Sequence, residues 1–497
     1  MLSRKSESFG VMTRLGIVIF ALFAFTRLDA SPVAAQRVLS PETRAFVEID
    51  DEVVALVGVR VIDGTGGPAQ VDQTVVLRGN RIAAVGPSAG VSIPSGARVL
   101  DLPGHTVIPG YVMLHEHMFY AVGRRAYNQQ EYSFPKLYLA GGATTIRTGG
   151  SRDPYGDLNL KEVVDAGQVP GPRIHPTGPY VTGPGFPILF LNTVKDAEEA
   201  RAMVRYWADE GATSFKVYQH ITRDEMRAVI EEAHARGLKV TGHICSVTYR
   251  EAADLGIDNL EHGFRPASDF VGGKRPDQCP DDLSAGFGPN LGARGQALRE
   301  LDADGPEIRA LIKHLVDRGV ALTTTLVVYE AGTPGRPPAS QAALDVMAPP
   351  IREQYLRRWA SIQQQKNSPK PEILAREMAR VKAFVDAGGL LVAGTDADAP
   401  GVVAGFANQR MVEILHEAGF TPEQAIQIAT LNGATYLEIA DELGTVEVGK
   451  LADLVVLQGD PSADITAVRN VRVVFKDGIG YDPKRLIQAV AGTVGFH

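Results

Sequence analysis

The chain has 497 residues, 50 Lys plus Arg against 58 Asp plus Glu, 44% hydrophobic residues and 22% charged ones. This balance excludes a disordered, collagen-like or coiled-coil chain, and a net charge of −8 without a Lys/Arg block argues against nucleic acid as a partner. Two cysteines cannot build a disulfide framework or a four-thiolate zinc site.

At the N-terminus Arg4, Lys5 and Arg14 precede the apolar run 15–25, and Val33, Ala34 and Ala35 follow. This order predicts a secretory signal over residues 1–35, cut near Ala35, and an exported protein, periplasmic or extracellular. The run is too short to span about 30 Å of hydrocarbon, and no later stretch is apolar enough to cross a bilayer. No membrane contact is therefore expected once the signal is removed.

Residues 53–108 read as short β-segments, with ALVGVRVIDGTGG and QTVVLRGNRIAAVGP mixing β-branched residues with Gly, Asn and Pro. Residues 444–482 repeat the style in GTVEVGKLADLVVLQGD and VRVVFKDG, and a short tail covers 483–497. Neither half has enough strands to close a core, so the two chain ends are expected to pair into one small β-sandwich-like domain.

Between them, residues 109–443 alternate short apolar strands with helical stretches. The strands are YVMLHEH, ATTIRT, RIHPTG, SFKVYQH, KVTGHI, NLEHG, VALTTTLVV and LLVAGTD. In DAEEARAMVRYWADEG, residues Ala197, Ala200, Met203, Val204 and Trp207 share one helical face, and a Gly ends the stretch. Alternation of this kind predicts an α/β fold with parallel strands, and eight of them predict a closed (β/α)8 TIM barrel with its active site at the C-terminal strand ends. Pro- and Gly-rich insertions at 265–304 and 330–370, after the sixth and seventh strands, are expected to overhang the mouth.

His115 and His117 end the first strand and share a face, with Glu116 opposite. A His-x-His pair alone is weak, but His243, His262 and Asp396 close three other strands. Taken singly, each has a plain alternative: a strand-end His can bond a backbone carbonyl, and an Asp can cap the next helix. Together on one rim they point to a shared metal centre, whose imidazole and carboxylate donors suit Zn²⁺, with Mn²⁺, Fe²⁺ or Co²⁺ as alternatives. Lys216 lies in the fourth strand with Tyr218 and His220 on its inward side. An inward lysine needs compensation, either by a salt bridge to Asp396 or Glu116 or by the metal cluster itself.

In that order PGYVMLHEH, FKVY, GHI, EHG and GTDA resemble the amidohydrolase superfamily, in particular its prolidase-like, Xaa-Pro dipeptidase-type branch. The resemblance covers nearly all of the chain after the signal. It implies two divalent cations: His115, His117 and Asp396 on the more buried one, His243 and His262 on the other. Lys216, carboxylated by CO2 to a carbamate, would bridge both together with a hydroxide. Asp396 would act as catalytic base and then acid while a small-molecule amide is cleaved, either a peptide-like compound or an N-acyl amino acid. The resemblance also allows a homo-oligomer.

Two departures stand out. Met113 occupies a position that often carries Asp, and VTGPGF at 181–186 has no His where relatives have one near the substrate carboxylate. Tyr218 is the candidate to bind a substrate carboxylate or the developing oxyanion, with packing against a neighbouring strand as its alternative. Cys245 is expected to be a buried, inert thiol, with pairing to Cys279 the less favoured option. The competing enzyme reading is a mononuclear deaminase or imidazolonepropionase-like ring hydrolase, against which Lys216 argues. A lactonase or phosphotriesterase activity and a non-catalytic binding homologue are the remaining alternatives.

Overall fold

In a computed structural model, the structure describes residues 38–123, 126–185, 191–281 and 292–496. The expected signal, residue 186 of the VTGPGF stretch, and 282–291 of the first insertion lie outside the described residues.

The middle of the chain forms eight parallel strands: Tyr111–Glu116, Ala143–Thr148, Thr177–Thr182, Ser214–Gln219, Lys239–Ile244, Asn259–Leu260, Ala321–Thr324 and Leu391–Ala393. Their hydrogen bonding runs in two arcs joined at two seams. At the first seam Ser151 N–H donates to Gly178 O (3.2 Å) and Thr177 N–H to Thr148 Oγ1 (2.8 Å). Pro176 accounts for this break. It lacks an N–H and splits the third strand into Arg173–His175, which pairs backwards, and Thr177–Thr182, which pairs forwards. At the second seam the N–H groups of Thr395 and Asp396 both donate to His115 O, at 3.1 and 2.8 Å. This closes the barrel of the expected (β/α)8 fold and brings Asp396 to the end of the first strand.

Crossover helices are set by local signals. Asp196 caps Ala197–Glu210 and Gly211 ends it at φ 111°, while Thr222 with Glu225 and Thr248 with Glu251 form capping boxes on the next two. Two details differ from the sequence reading. The expected seventh strand stops at Thr324, and Leu326–Ala331 is a helix. The β-branched Val327 and Val328 favour a strand, but here Leu326 and Val327 are buried from the helix instead. The second insertion is also largely helical, in Gln341–Val346 and Pro349–Gln363.

Both chain ends contribute to one nine-stranded sheet. Leu454–Gln458 pairs antiparallel with His105–Pro109, which pairs in turn with Val53–Val61. Val47–Ile49 joins the far edge beside Ile479–Tyr481. Val54, Leu56, Val75, Leu77, Val107, Leu454, Val456 and Phe475 form its buried face. The sheet hands directly into the barrel: Gly110 N–H donates to Asp453 O (2.8 Å), and Arg173 pairs with Asp453 and Asp477 at 2.9 and 2.7 Å.

Cys245 and Cys279 form a disulfide, which corrects the expectation of a free, inert thiol. Their Cα atoms are 4.8 Å apart because the segment after the sixth strand folds back over the end of the fifth. Spacing of 34 residues along the chain gave no sign of that return.

Candidate metal centre

The first strand ends in two buried imidazoles. His115 Nε2 and His117 Nε2 lie 3.4 and 2.9 Å from Asp396 Oδ1, and ligand atoms of the three residues all fall within 4.8 Å of one another. The Asp396 side chain is 15% exposed, so this cluster sits at the mouth rather than inside the packed core. Two imidazole nitrogens and a carboxylate oxygen this close together form a donor set that could hold a divalent cation. His117 Nδ1 is buried without a hydrogen-bond partner among the described residues.

Lys216 Nζ lies 3.1 Å from His115 Nε2, so the lysine does point into the cluster. Burial lowers its pKa to about 8. The other two imidazoles are neighbours: the His262 ring is 4.5 Å from that of His115 and 4.3 Å from that of His243. All six candidate ligands therefore lie on one rim, with the tightest convergence at His115, His117 and Asp396. Glu116 points away, as alternation requires, accepting from Thr395 N–H and Asn408 Nδ2.

Electrostatics follow from burial and neighbouring charge. Burial pushes His117 down to about 4. For Asp396 burial acts upward, but His115 and His117 overcome it and hold the carboxyl well below its usual range. His243 and His262 are both held well below normal, first by burial and then by neighbouring positive groups.

Several groups here escaped the sequence reading. Glu261 is fully buried, with Oε2 2.6 Å from His115 Nδ1, Oε1 accepting from Arg147 Nη2 at 2.6 Å, and Thr241 Oγ1 donating as well. A carboxylate on Nδ1 fixes the ring so that Nε2 faces the cluster. Gln219 Nε2 lies 3.2 Å from His243 Nε2, and its Oε1 accepts from the buried Arg294. His262 Nδ1 lies 2.8 Å from Thr325 Oγ1.

Tyr218 packs edge-on to His243 and to Tyr180, with ring centroids at 4.9 and 5.0 Å. Phe119 stacks on His117 at 4.5 Å, and Tyr127 and Arg152 lie beyond it, giving the mouth an aromatic wall. His220 turns to Pro184 O (3.3 Å), on the loop after the third strand.

The sequence profile of the amidohydrolase family matches residues 106–479. A dihydroorotase of Anaeromyxobacter dehalogenans (strain 2CP-C) is 30% identical over 198 residues, covering 39% of this chain and 42% of that protein. The imidazolonepropionase of Symbiobacterium thermophilum (strain DSM 24528 / JCM 14929 / IAM 14863 / T) is 26% identical over 405 residues, covering 77% and 83%. The chain spans about half the length of the dihydroorotases that it matches. A solved Xaa-Pro dipeptidase with bound methionine shares the fold at a TM-score of 0.63, with 22% identity over 86% of this chain and 100% of that one.

Proposed function

The chain belongs to the amidohydrolase family, and on that premise we propose that it is a metal-dependent hydrolase cleaving the C–N bond of a small amide, peptide-like or N-acyl amino acid. The observation that carries this is the convergence of His115 Nε2, His117 Nε2 and Asp396 Oδ1 at the open end of the barrel, with Lys216 Nζ beside them. His115, His117 and Asp396 would hold one divalent cation, and His243 and His262 a second, with Lys216 as its carbamate between them. Bound there, such cations would polarise the scissile carbonyl and lower the pKa of water. Asp396 would take a proton from the attacking water and return it to the amine nitrogen as the C–N bond breaks. Glu261 and Arg147 would hold His115 in place while the aromatic wall of Phe119, Tyr127 and Tyr180 sheds water from the substrate. Tyr218, on the same rim, would face the substrate carbonyl or carboxylate. On this reading the nine-stranded sheet is the small β-domain beside the barrel, the leader directs export, and the active form is a monomer or a homo-oligomer.

Purified protein reconstituted with Zn²⁺ or Mn²⁺ should carry two metal ions per chain and hydrolyse members of a panel of dipeptides and N-acyl amino acids. Metal-replete protein inert across that panel and across cyclic amides would overturn the reading. The long match to an imidazolonepropionase keeps a mononuclear ring hydrolase as the second reading. One ion per chain, unchanged by Lys216→Ala, would select it.

A further inference from the structure

The candidate ligands differ in what stands behind their rings. A neutral imidazole that gives one nitrogen to a cation carries its proton on the other, and that N–H needs an acceptor. His115 has one: the Glu261 carboxylate on Nδ1 leaves Nε2 for the cluster. Thr325 Oγ1, 2.8 Å from His262 Nδ1, is a hydroxyl and can accept as well. His243 is placed differently. Its Nε2 is met at 3.2 Å by Gln219 Nε2, an amide nitrogen that only donates.

Arg294 settles which way that amide faces. A guanidinium has donors and no acceptor, so Gln219 turns its oxygen to Arg294 Nη2 at 3.3 Å and its NH2 group to His243. Arg294 is pinned in turn. It is 7% exposed, its Nε donates to Asp281 Oδ2 at 2.7 Å, and its Nη1 donates to Ile244 O and Pro266 O at 3.3 and 3.1 Å. Gln219, at the end of the fourth strand, is fully buried. The neutral His243 ring is thereby held with Nε2 as acceptor and its proton on Nδ1. Neither nitrogen is then ready for a cation, because one bears the proton and the other is covered by the amide.

We propose that Gln219, fixed by Arg294, opposes ligation by His243 and makes the site of His243 and His262 the weaker of the two. This rests on the two-cation reading given above. Ligation through Nδ1 moves the ring proton to Nε2, against the amide hydrogens, and ligation through Nε2 displaces the amide. Either way Gln219 has to turn or withdraw, and turning sets its NH2 group against the Arg294 guanidinium. No donor opposes the first site: Glu261 holds His115 in ligating form, and His117 Nδ1 has no partner among the described residues. Cations therefore load in order, with His115, His117 and Asp396 filled first.

Zinc titration of the metal-free full chain, in competition with a chromophoric chelator, reads both dissociation constants. In wild type the second ion should bind about 10–100-fold more weakly than the first, and equal constants overturn the proposal. Gln219→Glu puts a carboxylate oxygen where the NH2 group stood and keeps an acceptor for Arg294. It should tighten the second ion about 10-fold while leaving the first nearly unchanged. Gln219→Met removes the donor without adding charge and should tighten the second ion about 5-fold. A merely structural Gln219 would yield no such gain, so an unchanged or weakened second ion in these variants overturns the proposal. Should neither variant fold, the wild-type constants decide alone. Protein that binds no zinc overturns the metal reading itself, whereas two ions indifferent to residue 219 overturn only the role of Gln219. A single ion in wild type and in both variants also overturns that role and selects the mononuclear reading.

Discussion

Glu261 and His262 are consecutive, yet both turn inward. Strand alternation would send one of them out, but the sixth strand ends at Leu260, and His262 takes φ 66°. Asp396 does the same at φ 52°. A left-handed backbone at a residue with a Cβ costs about 1–3 kcal/mol and persists where the surroundings demand it. This explains why Glu261 was illegible while His115, His117, Lys216, His243, His262 and Asp396 could be read as strand-end residues. Glu261→Gln keeps the size of the side chain but removes the charge from His115 Nδ1. Metal affinity should fall about 10–100-fold, read by competition with a chromophoric chelator, with the fold intact by circular dichroism. Asp396→Asn should lower kcat by about 10³-fold or more on any substrate found. Measuring metal content alongside separates a lost base from a lost ligand.

The strand-and-helix rhythm was readable because apolar runs alternate with helices that several crossovers mark by a side-chain N-cap, at Asp153, Asp196, Thr222 and Thr248. It failed where a tertiary partner overrode propensity, as at Leu326–Ala331, and where the chain returned on itself, as at Cys245 and Cys279. Closing 34 residues with a disulfide is worth about 3–4 kcal/mol on the loop-entropy model. The double variant Cys245→Ser/Cys279→Ser should unfold at lower denaturant by that order. An unchanged midpoint would show that the segment after the sixth strand is held by other contacts, such as Arg223 with Asp277. Gly394, next to the last strand, has no such latitude. A Cβ there would sit 2.3 Å from His115 Cβ and 2.8 Å from its backbone nitrogen, so Gly394→Ala should displace the first ligand strand. Soluble but metal-free protein, or none, is the expected yield.

At the scale of the whole molecule, stability should respond to metal and to pH. If the metal reading holds, stripping the protein with a chelator should lower its melting temperature, and added Zn²⁺ should restore it in a concentration-dependent way. Asp157, buried on Pro154–Asp165, has its pKa raised to about 7, chiefly by burial and then by Glu131 and Asp153. A carboxyl whose folded pKa lies above its unfolded one favours the native state when protonated. Its contribution is complete below pH ~4 and is lost as pH rises towards ~7. Urea melts from pH 4 to 8 should therefore show a downward component that Asp157→Asn removes. A parallel pair of curves would contradict it. The fold class was legible at this scale because eight strands with helices between them admit few closures. The linkage between barrel and sheet through Arg173, Asp453 and Asp477 was not, because these charges are about 280 and 304 residues apart in the chain.

The seam at which Thr395 and Asp396 donate to His115 O has a bearing on biosynthesis. Growing from its N-terminus, the nascent polypeptide exposes its paired imidazoles long before the ribosome has made the carboxylate that completes their grip. A truncated or stalled product would carry the histidines without the geometry. A cation held by all three side chains could therefore be gripped only after Asp396 has been made and the ring has shut.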